Sequence, residues 1–335
     1  MNSRRNDCSI RCNLCGAGEV AELGRKDRDG QPLRTVICQE CGLVWTDPRP
    51  SEEKIKKFYA EEYRVRYKGT WQPKLKHVHR GGLVARARYA TLRRFLKPAD
   101  AILDVGSGGG ELVYLLRGLG YDARGIEPNE GYARYAKDEL QLPIAIGFFK
   151  ELSLSEQIYD VITLYHVLEH LEDPFGTIAG LRSLLKPGGH LIIEVPNVEG
   201  TCGEPAHRFH FAHLYNFNAA TLAALARKAG YTVLETSISS DGGNVAVFLQ
   251  KAGEPSGFDG RIPGNCDRIV GILARHTKLR HYLSAHSYGR ALSKAARVFD
   301  EWRATKRFRS RLAILDALVA RVKQEAGCEC DLIES

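Results

Sequence analysis

The chain has 335 residues, of which 44% are hydrophobic and 26% charged, and it carries a formal net charge of +8. This composition excludes collagen-like, low-complexity and disordered chains, and the positive charge is compatible with an anionic acceptor, a nucleotide or a polyanion. No apolar run approaches the roughly 18–20 residues that span a bilayer, and the opening stretch MNSRRNDCSIRC lacks the apolar core of a secretory signal. We therefore expect a cytoplasmic protein with no transmembrane segment.

Two CxxC pairs early in the chain predict a structural zinc site. Cys12 and Cys15 form one pair, Cys38 and Cys41 form the other, and a glycine follows each pair. In a reducing compartment this spacing is typical of four thiolates around one Zn²⁺, with no position open to a substrate. We expect a zinc ribbon over residues 8–48, in which the metal supplies the folding energy that so short a segment lacks. A ribbon that binds nucleic acid is the alternative.

A helical linker is predicted over residues 49–82. Ser51 can cap a helix in which Ile55, Phe58 and Tyr59 recur at helical spacing. The rest of this segment is basic and aromatic and contains several glycines, which is compatible with either a lid or a simple connector.

The stretch ILDVGSGGGEL at residues 102–112 predicts a buried strand, a tight turn and the start of a helix. Its glycines suit a turn that needs positive φ and lets a ligand approach bare backbone at a helix N-terminus. Glu127 ends a second predicted strand, where such a unit places an acid beside a ribose. Strands and helices then alternate, and the last two strands follow each other closely. The fold class predicted for residues 83–252 is α/β, a doubly wound Rossmann-like sheet of seven strands with one antiparallel insertion.

The spacing of the glycines distinguishes between two cofactors. A glutamate stands where a dinucleotide fingerprint needs its third glycine, and the motif is instead formed by Asp104, Gly106, Gly108 and Gly110. Together with Glu127 and the stretch LKPGGHLIIEVPN, this motif resembles that of the class I S-adenosylmethionine-dependent methyltransferases. The resemblance implies that the glycine loop wraps the methionine part of the cofactor and that Glu127 holds the ribose hydroxyls.

The resemblance extends to both sides of the glycine motif. The CxxCG pairs followed by GLVWTDPRPSEEKIKKFYAEEY, with the later stretches YHVLEHLEDP and HFAHLYNFNAATLAALARKAGY, are similar to zinc-ribbon methyltransferases of bacterial sugar, polysaccharide and secondary-metabolite pathways. The resemblance also implies an apolar pocket for adenine, for which Phe148 and Phe149 are candidates. The alternative is that these two residues only pack in the hydrophobic core. The sugar C-methyltransferases of that group carry a further α/β domain, whereas this tail predicts helices. We therefore expect O-methylation of a sugar, nucleotide-sugar, polysaccharide or related metabolite.

Methyl transfer to oxygen requires a base that removes the proton of the acceptor, and histidine suits this task at neutral pH. His207, His210, His213 and Tyr215 lie in a loop expected at the carboxyl ends of the strands. We expect His213 to be the general base, His166 to be the second candidate and to line the cofactor, and Tyr215 to be the third. Surface or packing roles are the alternative for each.

The motif HVLEH at residues 166–170 also matches, in letters, the inverted zinc-peptidase motif. That motif needs both histidines on one helix, and Pro174 follows too soon, so the pattern disfavours a peptidase; a mononuclear metal that assists methyl transfer is another interpretation. Two rival functions stay open. An RNA methyltransferase would use the ribbon to bind its substrate, and an adaptor would carry an inactive methyltransferase domain.

The basic tail, residues 260–335, predicts a C-terminal helical extension. Apolar residues recur at spacings of three and four from Leu292 to Val322, with one phase slip, which predicts a long helix with an apolar stripe. Packing on its own domain, a homodimer seam and a membrane-surface helix are the three interpretations of that stripe.

Overall fold

The computed structural model describes residues 10–50, 55, 70–152, 155–253 and 257–331, and it describes their side chains except at 285–295 and 327–331. Of the predicted linker helix, Ser51, Phe58 and Tyr59 lie outside the described residues. The chain forms two compact units. The first comprises Met1–Ile55, Ser155–Gln157 and Leu164–Ala291, and the second comprises Lys56–Leu154, Ile158–Thr163 and Leu292–Ser335.

The secondary structure alternates between strands and helices through the middle of the chain. The strands are β1 (Val20–Lys26), β2 (Pro32–Cys38), β3 (Val44–Thr46), β4 (Ala101–Val105), β5 (Asp122–Glu127), β6 (Ile144–Ile146), β7 (Tyr159–Tyr165), β8 (Leu185–Pro196), β9 (Tyr215–Asn216), β10 (Tyr231–Ile238) and β11 (Asn244–Lys251). The helices are α1 (Leu75–Leu92), α2 (Glu111–Gly118), α3 (Glu130–Arg134), α4 (Pro174–Leu184), α5 (Ala219–Lys228), α6 (Asn265–Arg275), α7 (Lys278–Leu283), α8 (Ala285–Arg307) and α9 (Arg311–Asp331).

A mixed sheet of seven strands has the order β10-β11-β8-β7-β4-β5-β6. The strands β4, β5 and β6 are parallel, whereas β11 runs antiparallel to both β8 and β10. Parallel strands need covered faces, and the helices between them supply the cover. The Rossmann-like α/β class, the number of strands in this sheet and the antiparallel insertion are therefore confirmed.

A second sheet has the order β1-β2-β3-β9. Its first two strands form a hairpin between the CxxC pairs, with Val20 opposite Cys38. The last strand comes from a distant part of the chain, since Trp45 pairs with Tyr215. Both of these aromatic side chains are fully buried, so their packing fixes the register of a strand only two residues long.

The C-terminal extension is helical, as predicted, but the prediction of one long helix is wrong. The chain leaves the helical conformation at Phe308, where the apolar stripe slips in phase, and α9 begins after Ser310. The Ser310 hydroxyl accepts the amide of Ala313 at 3.1 Å and so stabilises the new helix start. Helix α9 packs on α1 through the buried side chains of Leu315 and Leu318. Among the described residues, no helix is long and apolar enough to cross a membrane.

Candidate active site

The glycine-rich turn between β4 and α2 has the backbone that its sequence predicts. Gly106, Gly108 and Gly110 have φ values of +79°, +59° and +78°, in the left-handed region that favours glycine. Gly110 also lacks room for a side chain, because an added Cβ would lie 2.7 Å from Cδ1 of Leu142. The turn leads directly into α2, so the unpaired amides of this helix N-terminus lie at its end.

Glu127, the last residue of β5, holds the glycine turn. One carboxylate oxygen accepts the amide of Gly108 at 2.7 Å, and the other accepts the amide of Asn129 at 2.9 Å. A carboxylate oxygen has two lone pairs, so each oxygen keeps an acceptor position beyond these bonds. This arrangement fits the expected role of Glu127 toward a pair of ribose hydroxyls.

Asp104 lies inside the sheet, just before the glycine turn. Its Oδ1 accepts the hydroxyl of Thr163 at 2.7 Å, and burial raises the pKa of Asp104 to about 6. Asp104 therefore joins β4 to β7, a contact that its sequence motif does not reveal. Phe148 and Phe149 follow β6 and are half-buried, as the apolar wall of an adenine pocket would be.

His166 follows β7 directly and has a φ of +58°, which is uncommon for a residue other than glycine. Its Nδ1 lies 3.4 Å from Oε1 of Glu169, and its Nε2 lies 3.3 Å from Oε1 of Glu194. Burial lowers the pKa of His166, but the two carboxylates outweigh burial and raise this pKa to about 9. The side chain is 37% exposed, so a ligand can reach it.

Three further histidines cluster around Glu169. His170 Nδ1 donates to the carbonyl of Ala212 at 2.8 Å, since a carbonyl only accepts. The ring of His213 has its centroid 4.9 Å from that of His170 and 5.3 Å from that of His210. Burial lowers the pKa of His213 to about 3, which keeps this imidazole neutral at physiological pH.

The remaining two candidates are Tyr215 and His207. Tyr215 is fully buried, and its hydroxyl donates to the carbonyl of Glu172 at 3.3 Å. The side chain of His207 is 59% exposed, and its Nδ1 lies 3.9 Å from a carboxylate oxygen of Glu204. Tyr215 therefore supports the loop rather than lining an open surface.

Sequence reasoning did not predict the two carboxylates that pair with His166. Glu169 stands three residues after His166, and that spacing within HVLEH was a signal that could have found it. Glu194 lies on β8, far away in sequence, and alternation along a strand gives no indication that it meets a histidine. It is the backbone pairing of His166 with Glu194, with an N···O distance of 2.8 Å, that brings the two side chains together.

The four predicted cysteine ligands converge. Their sulfur atoms all lie within 4.8 Å of one another, and the Cys12–Cys41 and Cys15–Cys38 pairs are each separated by 3.5 Å. Four sulfurs bound to one zinc ion are about 3.8 Å apart, so the donor set and spacing fit a tetrahedral zinc site. The glycine that follows each pair has a positive φ, and its backbone N–H donates a hydrogen bond to the carbonyl of the first cysteine of the pair.

The mixed sheet, the glycine turn after β4 and the acid at the end of β5 together define the class: a Rossmann-like domain built to hold a nucleoside-containing cofactor. A family model described as a methyltransferase domain matches residues 77–236. The match covers just under half of the chain, so this stretch is similar to a methyltransferase domain.

The relatives of the chain are methyltransferases as well. A ubiquinone biosynthesis O-methyltransferase of Coxiella burnetii (strain Dugway 5J108-111) is 31% identical over 155 residues, which cover 44% of this chain and 65% of that protein. The protein of the same name from Pectobacterium carotovorum is 30% identical over 102 residues, or 29% of this chain and 43% of that protein. A crystal structure of a SAM-dependent methyltransferase from Methanosarcina mazei has a TM-score of 0.44 and 17% identity, over 50% of this chain and 99% of that chain. The chain thus spans just under two thirds of the first relative.

Proposed function

We propose that this protein is an S-adenosylmethionine-dependent O-methyltransferase that acts on a sugar, nucleotide-sugar or related small acceptor. The observation that carries the proposal is the glycine turn held by Glu127 within residues that match a methyltransferase domain. When bound, the cofactor supplies an electrophilic methyl group on its sulfonium sulfur. The names of the curated relatives support oxygen as the acceptor atom, and the net charge of +8 favours an anionic acceptor.

The cofactor contacts of this proposal fall on residues of the second unit. Glu127 accepts the ribose hydroxyls with its remaining lone pairs, and the turn from Gly106 to Gly110 gives the methionine part access to bare backbone. Phe148 and Phe149 form the apolar wall for adenine. Asp104 acts through β4, because its carboxyl is already bound to Thr163.

His166 is the general base of this proposal. Its side chain is exposed enough to meet an acceptor hydroxyl, and Glu169 and Glu194 stabilise the positive charge that follows proton uptake. The sequence pattern favoured His213, but its pKa of about 3 makes it a much weaker base than His166. A left-handed conformation is costly for histidine, and such conformations concentrate at functional sites.

The ribose contact is tested by replacing Glu127 with alanine. We expect Glu127→Ala to weaken the binding of S-adenosylhomocysteine by about tenfold or more, because a hydrogen bond to a charged group contributes about 1.5–3 kcal/mol. Calorimetric titration of the full chain measures this affinity. Glu130→Ala is the matched control, since Glu130 is an exposed acid of the next helix that pairs with Arg134. Equal affinities for wild type and Glu127→Ala would contradict the assignment.

A further inference from the structure

We propose that Glu169, His170 and His213 form a second metal site, separate from the four-cysteine cluster. One ligand atom from each residue lies within 4.8 Å of the other two. Bound to one ion at about 2.0–2.2 Å, such atoms are about 3–3.5 Å apart, so modest side-chain rotations complete the site. Two imidazoles and one carboxylate are a donor set that holds transition metals and leaves coordination positions open to other ligands.

Glu169 supplies the first independent indication of a ligand. Its residue exposure is 1%, and neither carboxylate oxygen has a hydrogen-bond partner in the described part of the chain. The nearest histidine nitrogens lie 3.4 Å away in His166 and 3.7 Å away in His170, as ion-pair contacts without hydrogen-bond geometry. His166 offsets part of this charge, but the carboxylate oxygens still lack close hydrogen bonds, and a metal ion bound at these oxygens would supply close contacts.

His170 supplies the second indication. Its Nδ1–H donates to the carbonyl of Ala212, so in the neutral ring Nε2 carries the lone pair, and Nε2 is the nitrogen nearest to Glu169. Histidine ligands of metals usually donate their other ring N–H to a carbonyl or a carboxylate in this way. The bond fixes both the tautomer and the orientation of the ring before any ion arrives.

His213 completes the set and is held by its backbone. Its amide donates to the carbonyl of His210 at 2.9 Å, and its carbonyl accepts the hydroxyl of Thr46 at 3.4 Å. The centroid of its ring lies 4.9 Å from that of His170, in an edge-on arrangement. The conformation of this ligand is therefore tied to strand β3 of the cysteine-containing sheet.

The donor set indicates which ions fit. Imidazole nitrogens suit Zn²⁺, Fe²⁺ and Co²⁺, whereas Mg²⁺ and Ca²⁺ prefer sites made of oxygens alone. His166 contacts the same carboxylate, so an acceptor hydroxyl bound to the ion would lie near the proposed base, and its O–H proton would pass to His166. That use of the ion rests on the proposed function, whereas the metal site itself does not.

Cobalt titration of the full chain loaded with one Zn²⁺ per chain, enough for the four-cysteine cluster alone, tests the site. We expect one Co²⁺ per chain beyond the zinc, detected by calorimetry and by visible bands without the sulfur-to-cobalt charge transfer of a thiolate site. Glu169→Gln and His213→Ala are expected to weaken this binding by about tenfold or more, because even the loss of an outer partner costs 10–100-fold. His207→Ala is the matched control, since His207 lies outside the cluster in the same loop, and it should bind as wild type.

Three outcomes would overturn the proposal: no cobalt bound beyond the zinc, charge-transfer bands that place the cobalt on thiolates, or unchanged binding in both Glu169→Gln and His213→Ala. Glu169→Gln preserves the shape of the side chain, and circular dichroism of each variant separates loss of a ligand from loss of fold. The binding of S-adenosylhomocysteine is measured on the same samples. If it persists in a protein that binds no cobalt, the metal site fails and the proposed function stands.

Discussion

The basicity of His166 depends on two neighbouring carboxylates, one of which is distant in sequence. The motif HVLEH places it at the end of a strand, but its basicity comes from Glu169 and Glu194 together. Glu194 lies on another strand and reaches His166 only through the backbone bond between them. Local sequence patterns therefore predicted the glycines and Glu127, whose roles depend on the turn they form. They could not predict Glu194 or Thr163, which meet their partners across the sheet.

At this scale the pH dependence of turnover is a direct consequence of the site. A general base must be neutral to accept a proton, and the pKa of His166 is raised to about 9. We expect kcat/KM to rise about tenfold per pH unit below pH 9 and to level off above it. Glu194→Gln removes one of the carboxylates that raise the pKa, so its profile should move to lower pH.

Rate measurements between about pH 6 and 10 check this shift. That range includes both the ordinary pKa of histidine and the raised pKa of His166. Glu204→Gln serves as the control, because Glu204 lies beside His207 instead. Superimposable profiles for wild type and Glu194→Gln would show that His166 is not the base.

At the scale of elements, the cysteine cluster positions the histidine loop. Strand β3 pairs with β9, and Thr46 of β3 binds the backbone just before β9. Its amide donates to the carbonyl of Leu214 and its hydroxyl donates to the carbonyl of His213. The spacing of the cysteines predicted that their four sulfurs converge, because each CxxC loop brings two of them together locally. It could not predict β9, whose two residues carry no strand signal of their own.

Removal of one cysteine ligand tests this connection. We expect Cys38→Ser to abolish a zinc content of about one per chain and to lower the melting temperature, because the binding energy of a structural metal is folding energy. Turnover should fall with it, since β9 loses its partner strand. Cys202→Ser is the control, because Cys202 lies outside the cluster. Zinc retained at the wild-type level by Cys38→Ser would show that these cysteines do not hold it.

The C-terminal helices give a second example at this scale. Apolar periodicity predicted helix throughout, yet the break at Phe308 follows from a phase slip that a continuous stripe cannot absorb. Leu315 is fully buried, whereas Leu312 on the same helix is 44% exposed. The stripe thus identifies the buried face but not the point where the helix ends.

We expect Leu315→Ala to lower the free energy of unfolding by about 2–5 kcal/mol, as the truncation of a buried leucine does. Leu312→Ala, the control, should change this free energy by much less. Urea denaturation of both variants gives the comparison. Equal destabilisation by the two substitutions would mean that α9 does not pack through Leu315.

At the scale of the whole molecule, the candidate functional residues belong to two compact units. The glycine turn and Glu127 belong to one unit, and the cysteine and histidine clusters belong to the other. The order of motifs along the chain predicted the seven-stranded sheet and its antiparallel strand, since alternating strands and helices leave few topologies. The four-stranded sheet pairs Trp45 with Tyr215. A pairing between residues so far apart in the chain produces no periodic sequence pattern, so it could not be predicted.

The transfer of a tritiated methyl group from S-adenosylmethionine tests the central claim most directly. The full chain is incubated with a panel of nucleotide-sugars and, in parallel, with RNA, and His166→Ala serves as the inactive reference. We predict label on an oxygen of a saccharide, turnover reduced about 10²–10⁴-fold in His166→Ala, and no label on RNA. Two results would contradict this function. One is label on RNA alone, and the other is a protein that transfers no label and binds neither S-adenosylmethionine nor S-adenosylhomocysteine.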